Sequence, residues 1–171
     1  LSSADVIIAL SEHCVRESRF LKKYRDKIEI IPNGINLDDF SIPYSREEAR
    51  RKLGFSSDDY IILFVGGLIQ HKNPHILLKA MPMIQKFVPN VRLIFVGRGP
   101  MLGRLKKLSQ KLGINGNVEF TGFLYGDKKL LYYKASDVFV LPSFSEGFGL
   151  VLLEASAFGL PLVVSDLRTF R

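Results

Sequence analysis

At 171 residues, 47% apolar and 24% charged, the chain holds enough material for one well-packed domain and too little for two complete ones. No apolar run approaches the ~20 residues that span a bilayer, and the start at Leu1 shows neither a basic n-region nor a cleavage pattern. The lone Cys14 excludes an internal disulfide and a Cys/His zinc cluster, so a soluble, cytoplasmic protein is expected.

Apolar runs bounded by turn signals recur with helix-length spacers between them, which is the pattern of βαβ units. The expected fold is α/β: a Rossmann-like parallel sheet with helices on both faces. Strands are predicted at 5–9, 28–31, 60–65, 91–96, 118–121, 138–141 and 161–164, several apolar throughout, as strands covered on two faces must be. Between them, Ser11 predicts a capped helix to about Lys23, and Ser45 with Glu47 and Glu48 predicts a short one ended near Gly54. A helix over 74–87 follows, ended or kinked by Pro82, then helices over 101–112, 127–135 and 150–158. Residues 38–44 read as a linker after the Pro32-Asn33-Gly34 turn. Residues 1–43 are expected to be the tail of an amino-terminal domain with its linker. Residues 44–171 are expected to form a second domain, truncated at its carboxyl end because the chain stops just after a strand.

The net charge of +7 is uneven: residues 1–60 hold 10 Lys and Arg against 11 Asp and Glu, while residues 61–171 hold 14 against 6. Such a field attracts anions, whether nucleotide phosphates, nucleic acid or an acidic membrane. The run 141–155 (LPSFSEGFGLVLLEA) narrows the choice, because it sets a Gly-rich turn between a strand's carboxyl end and a helix. Gly147 and Gly149 leave the backbone open, and the amides of Phe148, Gly149 and Leu150 lie at a positive helix end that suits a phosphate. Glu154 interrupts a helix apolar nearly all round, so it is read as a buried carboxylate that needs a partner and leans toward the turn holding Glu146. The bland alternative is a solvated Glu146 and an internally paired Glu154. A second turn, Gly66-Gly67-Leu68-Ile69-Gln70-His71-Lys72, offers a lysine to a diphosphate just ahead of a helix. His71 and His75 lack a third metal ligand, and no metal site is expected.

These residues resemble the large retaining glycosyltransferase family of two-Rossmann-domain (GT-B) architecture, often called family 4 or glycosyl transferases group 1. The likeness spans nearly the whole chain: Ile31-Pro32-Asn33-Gly34-Ile35-Asn36, the Gly66 turn with Lys72, Val96-Gly97-Arg98-Gly99-Pro100, Phe120-Thr121-Gly122, and the run from Asp137 through Pro161. Glu146 and Glu154, seven residues between them, match the family's signature acid pair. The resemblance implies a donor-binding half that handles a nucleoside-diphosphate sugar such as a UDP- or GDP-sugar, without a metal or other cofactor, and retains the anomeric configuration. By the same likeness Lys72 would meet the diphosphate, with Gly66 and Gly67 in its turn, and Gly122, Phe123 and Leu124 would lie along the base. Glu146 would bond sugar hydroxyls and, with Lys72, carry the catalytic role; the amides of Phe148, Gly149 and Leu150 would hold the distal phosphate or sugar, and Glu154 the ribose.

The acceptor, a glycan, lipid or small molecule, would belong mainly to the amino-terminal domain, so the isolated chain is expected to bind nucleotide weakly and to lack turnover. Gly67 stands where the family usually has Arg, and Asn36 where it usually has Asp. That first departure leaves open a non-catalytic module that only binds nucleotide sugars. The segment 91–120, with Gly97-x-Gly99 and Glu119, also fits an imperfect dinucleotide-binding fingerprint of an oxidoreductase. Arg92, Arg98, Arg104, Lys106, Lys107 and Lys111 form a basic region with no interleaved aromatics, so nucleic acid is not expected. That region is expected to be a solvated face, and peripheral contact with anionic lipid on the cytoplasmic membrane face is the other role open to it.

Overall fold

Two parallel sheets organise the chain, and the computed structural model describes residues 1–170 of it; Arg171, the final residue of the expected second domain, lies outside the described residues. Near the amino end β1 (Ile7–Ala9) pairs with β2 (Ile28–Ile30), Ile7 opposite Ile28. Between them α1 (Glu12–Glu17) is capped as predicted, Ser11 Oγ accepting from Cys14 N at 3.2 Å, but it stops well short of Lys23. Ser18 leaves the helix at ψ 117° and its hydroxyl accepts from Leu21 N at 3.2 Å, opening a separate 3-10 segment over Leu21–Lys27. A serine that bonds the backbone ahead of it competes with helix continuation. In contrast, α2 (Arg46–Leu53) has the full reciprocal cap: Glu48 N donates to Ser45 Oγ at 3.2 Å and Ser45 N to Glu48 Oε2 at 2.7 Å, with Gly54 left-handed at φ 73°.

The larger sheet contains β3 (Tyr60–Val65), β4 (Val91–Val96), β5 (Val118–Gly122), β6 (Val138–Leu141) and β7 (Leu162–Val164), all parallel, in the order β5-β4-β3-β6-β7. Crossovers run through α3 (Pro74–Ile84), α4 (Leu102–Lys111), α5 (Gly126–Ala135) and α6 (Leu150–Ala157). Successive strands step outward from β3 to β5, and the chain then returns to lay β6 on the other side of β3. Right-handed crossovers therefore put α3 and α4 on one face and α5 and α6 on the other, with a crevice where the order reverses.

The core lies between these layers. Phe64 meets Phe95 at 5.4 Å, and Tyr133 stacks between Phe139 and Phe158 at 6.0 and 5.6 Å, the first three rings and Phe139 being fully buried. Pro82 lies inside α3, which continues past it and ends at Ile84 rather than at Phe87. The expectation of a wholly buried helix at 150–158 fails: within α6 only Ala155 is fully buried and Leu150 is 42% exposed. The physical reason is position, since α6 leads into β7, which among the described residues pairs with β6 alone and leaves its own Val163 55% exposed. Among the described residues no helix is long and apolar enough to cross a membrane.

Candidate functional site

The predicted site residues gather at the carboxyl ends of β3, β5 and β6, around the reversal point of the sheet, with Gly122 closing β5 and Glu154 a turn inside α6. The register Ile62 to Val138 and Leu63 to Phe139 lays the β3 and β6 loops side by side. They are stitched by Phe144 N donating to the His71 carbonyl at 2.9 Å and Asn73 Nδ2 to the Pro142 carbonyl at 3.1 Å. This brings Lys72 and Glu146, 74 residues apart in sequence, into an ion pair. Ser143 Oγ donates to the same Glu146 oxygen at 2.7 Å, and the Glu146 side chain is only 6% exposed. Glu146 is thus no solvated loop acid. A desolvated pair of this kind is held by mutual attraction and offers an incoming ligand both an ammonium and a carboxylate.

The loop is fixed from outside as well, Thr169 Oγ1 donating to the Glu146 carbonyl at 3.1 Å and Cys14 Sγ to the Gly147 carbonyl at 3.5 Å. Gly149 takes φ 85° at the entry to α6, a conformation that glycine alone adopts freely, while a Cβ at Gly147 would meet open space. Among the described residues nothing accepts from the amides of Phe148 and Gly149. With the first amides of α6 they lie at the positive end of a helix.

Glu154 lies one turn further along α6 and belongs to a different cluster. Lys129 Nζ donates to its two oxygens at 3.0 and 2.9 Å, and the Tyr133 hydroxyl donates to Oε2 at 2.7 Å. Burial, then the Glu154 carboxylate, push the Tyr133 hydroxyl far above the usual phenol range, which keeps it a donor. The predicted lean of Glu154 toward the Glu146 turn makes no contact there: the two acids anchor separate ion pairs, and Glu154 is internally paired, as the alternative reading had it, whereas Glu146 is not solvated. Glu154 and Lys129 both line a cavity of about 420 Å³ whose walls include Gly66, Gly67, Arg98, Phe123 and Leu124. The Arg98 guanidinium stands over the Phe123 ring at 5.4 Å, and Tyr125 flanks that ring at 6.5 Å.

Sequence reasoning missed Lys129, Tyr133 and Ser143. No local motif marks them, and the one available signal was the need of Glu154 for a partner. It also left the glycines at 97 and 99 open to a dinucleotide reading, which the geometry resolves differently. A Cβ at Gly97 would lie 1.9 Å from the Gly66 carbonyl oxygen, and one at Gly99 would lie 2.4 Å from that of Leu68. Hydrogen bonds from Gly66 N to Val96 O, Leu68 N to Arg98 O and Met101 N to Leu68 O, at 2.9 to 3.0 Å, lock the two loops together. These glycines admit a neighbouring loop. His71 stacks edge-on against Phe144 at 6.3 Å, and among the described residues no group of three His, Cys, Asp or Glu side chains converges.

The sequence profile of glycosyl transferases group 1 matches residues 45–171. An uncharacterized glycosyltransferase of Methanocaldococcus jannaschii is 44% identical over 144 residues, 82% of this chain and 37% of that protein. Alpha-monoglucosyldiacylglycerol synthase of Streptococcus pneumoniae is 36% identical over 169 residues, 95% of this chain and 38% of that protein. The solved sucrose-phosphate synthase of Thermosynechococcus elongatus superposes with a TM-score of 0.81 at 33% identity, over 98% of this chain and 42% of that one. The chain spans less than half the length of these relatives.

Proposed function

The chain belongs to the glycosyl transferases group 1 family, and from that premise we propose that it is the donor-binding half of a GT-B enzyme that moves a sugar from a nucleoside-diphosphate sugar to an acceptor with retention of configuration. The observation that carries this reading is the Lys72–Glu146 pair set beside free amides at the start of α6, with the Glu154 cavity one helical turn away. Breaking the bond between sugar and diphosphate places new negative charge on the leaving oxygen. Donors already aimed at that position lower the barrier without reorganising. Lys72 and the amides of Phe148, Gly149 and Leu150 supply them, and in this reading no metal or other cofactor is required.

Glu146, relieved of part of its bond to Lys72 by the phosphate, accepts from the sugar's hydroxyls. Glu154 accepts from the ribose, in competition with Lys129, and the base lies along Gly122, Phe123 and Leu124 within reach of Arg98. Residues 1–43 belong to the acceptor-binding domain of the parent protein, and a glycan, lipid or small-molecule acceptor is bound mainly there. In the cell the enzyme works in the cytoplasm.

Calorimetric titration with UDP, GDP, uridine and NAD tests the assignment. The chain is expected to bind a nucleoside diphosphate and not NAD. Lys72→Met should cost about tenfold for UDP and nothing for uridine, whereas Glu154→Gln should cost about tenfold for both. An equal loss for UDP and uridine in Lys72→Met, or no binding of any nucleoside diphosphate, would remove the assignment. A second reading, a module that binds nucleotide sugars without transfer, is favoured by Gly67, which leaves the diphosphate with one fewer cation than the family pattern provides.

A further inference from the structure

Between Asp59 and Glu119 the chain carries nine Lys and Arg residues and no acid. Lys72 is paired with Glu146 and Arg92 with Asp59, but among the described residues Lys79, Lys86, Arg104, Lys106, Lys107 and Lys111 make no ion pair. Most of these gather on one face. On α3 the side chains of Leu77, Leu78 and Met81 are buried, which turns Ile76, Lys79 and Met83 outward, with Lys86 and Phe87 just past the helix end. Ile76, Met83 and Phe87 are 44%, 64% and 82% exposed. On the neighbouring α4, buried Leu105 and Ser109 leave Arg104, Lys107 and Lys111 as an outward stripe at i, i+3 and i+7.

A cavity of about 390 Å³ opens between the two helices, lined by Gln70, His75, Lys79 and Arg104 over Met101 and Leu105. His75 Nδ1 is enclosed there without a hydrogen-bond partner. Burial, then the charges of Lys79 and Arg104, hold the imidazole below its usual pKa, as expected where cations converge without an acid.

An acid-free cationic face studded with large exposed apolar side chains matches the surface of an anionic bilayer. Ammonium and guanidinium groups reach lipid phosphates while Met83 and Phe87 enter the acyl boundary. Nucleic acid would share the charge, but α3 and α4 hold no Phe, Tyr or Trp, and Phe87 beyond the end of α3 is a single ring rather than the row of platforms on which successive bases stack. We propose that the α3–α4 face docks on an anionic phospholipid membrane, with a lipid phosphate entering the cavity between Lys79 and Arg104. This face lies across the sheet from α5 and α6, and the proposal stands independently of the donor-site assignment.

Co-sedimentation of the full chain with vesicles tests it. Binding is expected to phosphatidylcholine–phosphatidylglycerol vesicles and not to phosphatidylcholine alone. Lys79→Gln/Arg104→Gln/Lys107→Gln should lower the partition coefficient about 100-fold, on the order of fivefold per charge. Arg19→Gln/Lys22→Gln/Lys23→Gln removes equal charge from the amino-terminal segment and should cost less than about tenfold. Met83→Ser/Phe87→Ser keeps every charge and should cost about tenfold or more. Circular dichroism of each variant verifies folding. Absence of binding to the anionic vesicles by the folded wild-type chain, equal losses in the two triple variants, or wild-type binding by the serine double variant would each overturn the proposal. So would tight binding of transfer RNA that the serine variant leaves unchanged, which would mark the face as a nucleic-acid surface.

Discussion

Gly97→Ala puts a methyl group where the neighbouring loop already is. Its Cβ would lie 1.9 Å from the Gly66 carbonyl oxygen and 2.9 Å from the carbonyl carbon, at a φ of 151° that residues with side chains rarely adopt. Clearing even the closest tolerable contact requires the β3 and β4 loops to part by roughly 1.1 Å. That movement takes the bonds from Gly66 N to Val96 O, at 2.9 Å, and Leu68 N to Arg98 O, at 3.0 Å, out of range. Overpacking of about 1–3 kcal/mol and two weakened bonds of about 1 kcal/mol each give a loss of about 3–5 kcal/mol. For a chain of this size that lowers Tm by about 6–20 °C in thermal unfolding followed by circular dichroism. Gly103→Ala, made in parallel, has open space around its Cβ inside α4 and should raise Tm by about 1–4 °C. If Gly97→Ala melted within about 2 °C of the parent yet lost affinity for NAD or UDP, the glycine would face a ligand and the loop-packing argument would be wrong.

Asp137 precedes β6, at the end of the sheet away from the crevice, and receives Arg46, Arg50 at 2.6 Å and Ile61 N at 2.7 Å. Asp137→Asn should cost about 2–4 kcal/mol in denaturant unfolding, because the Arg50 side chain, 10% exposed, loses its counter-charge. Nucleotide affinity of the remaining folded molecules should not change. Gly67→Arg should fit, since a Cβ there meets only Ile69 Cδ1 at 3.4 Å, Ile69 Cγ1 at 3.6 Å and the Arg98 carbonyl at 4.0 Å. It should tighten UDP about tenfold while leaving uridine unaffected, and a gain shared by both ligands would show that position 67 does not face the diphosphate. The lowered pKa of His75 means that the unfolded chain takes up this proton first as pH falls below the ordinary histidine value. Stability should therefore drop between about pH 7.5 and about pH 5.5, and His75→Gln should shed part of that drop in denaturant titrations at the two pH values.

The strands whose composition is almost continuously apolar were legible to the residue: β3, β4 and β6 begin and end where their runs do. So was the Ser45 cap, because both of its partners lie within four residues. The amino-terminal helix was overextended since the competing bond of Ser18 depends on where the backbone turns, which periodicity does not report. The same limit applies to the site. Lys72, Glu146 and Glu154 could be picked as functional from their turns, but pairing Lys72 with Glu146 requires the β3–β6 register, and pairing Glu154 with Lys129 requires α5 to lie over α6. The roles of Gly97 and Gly99 were illegible for a related reason: a glycine that admits a ligand and one that admits a loop read alike in one dimension.

The uncovered flank of β7 bears on how the chain behaves in a test tube. Among the described residues β7 is bonded to β6 on one side and to no strand on the other, and with Leu162, Val163 and Val164 39%, 55% and 37% exposed such an edge is a template for a second copy. Concentrated preparations are thus expected to self-associate edge to edge, seen as mass growth in light scattering. A single gatekeeping charge such as Val163→Lys, which repels its own image across the junction, should keep them monodisperse.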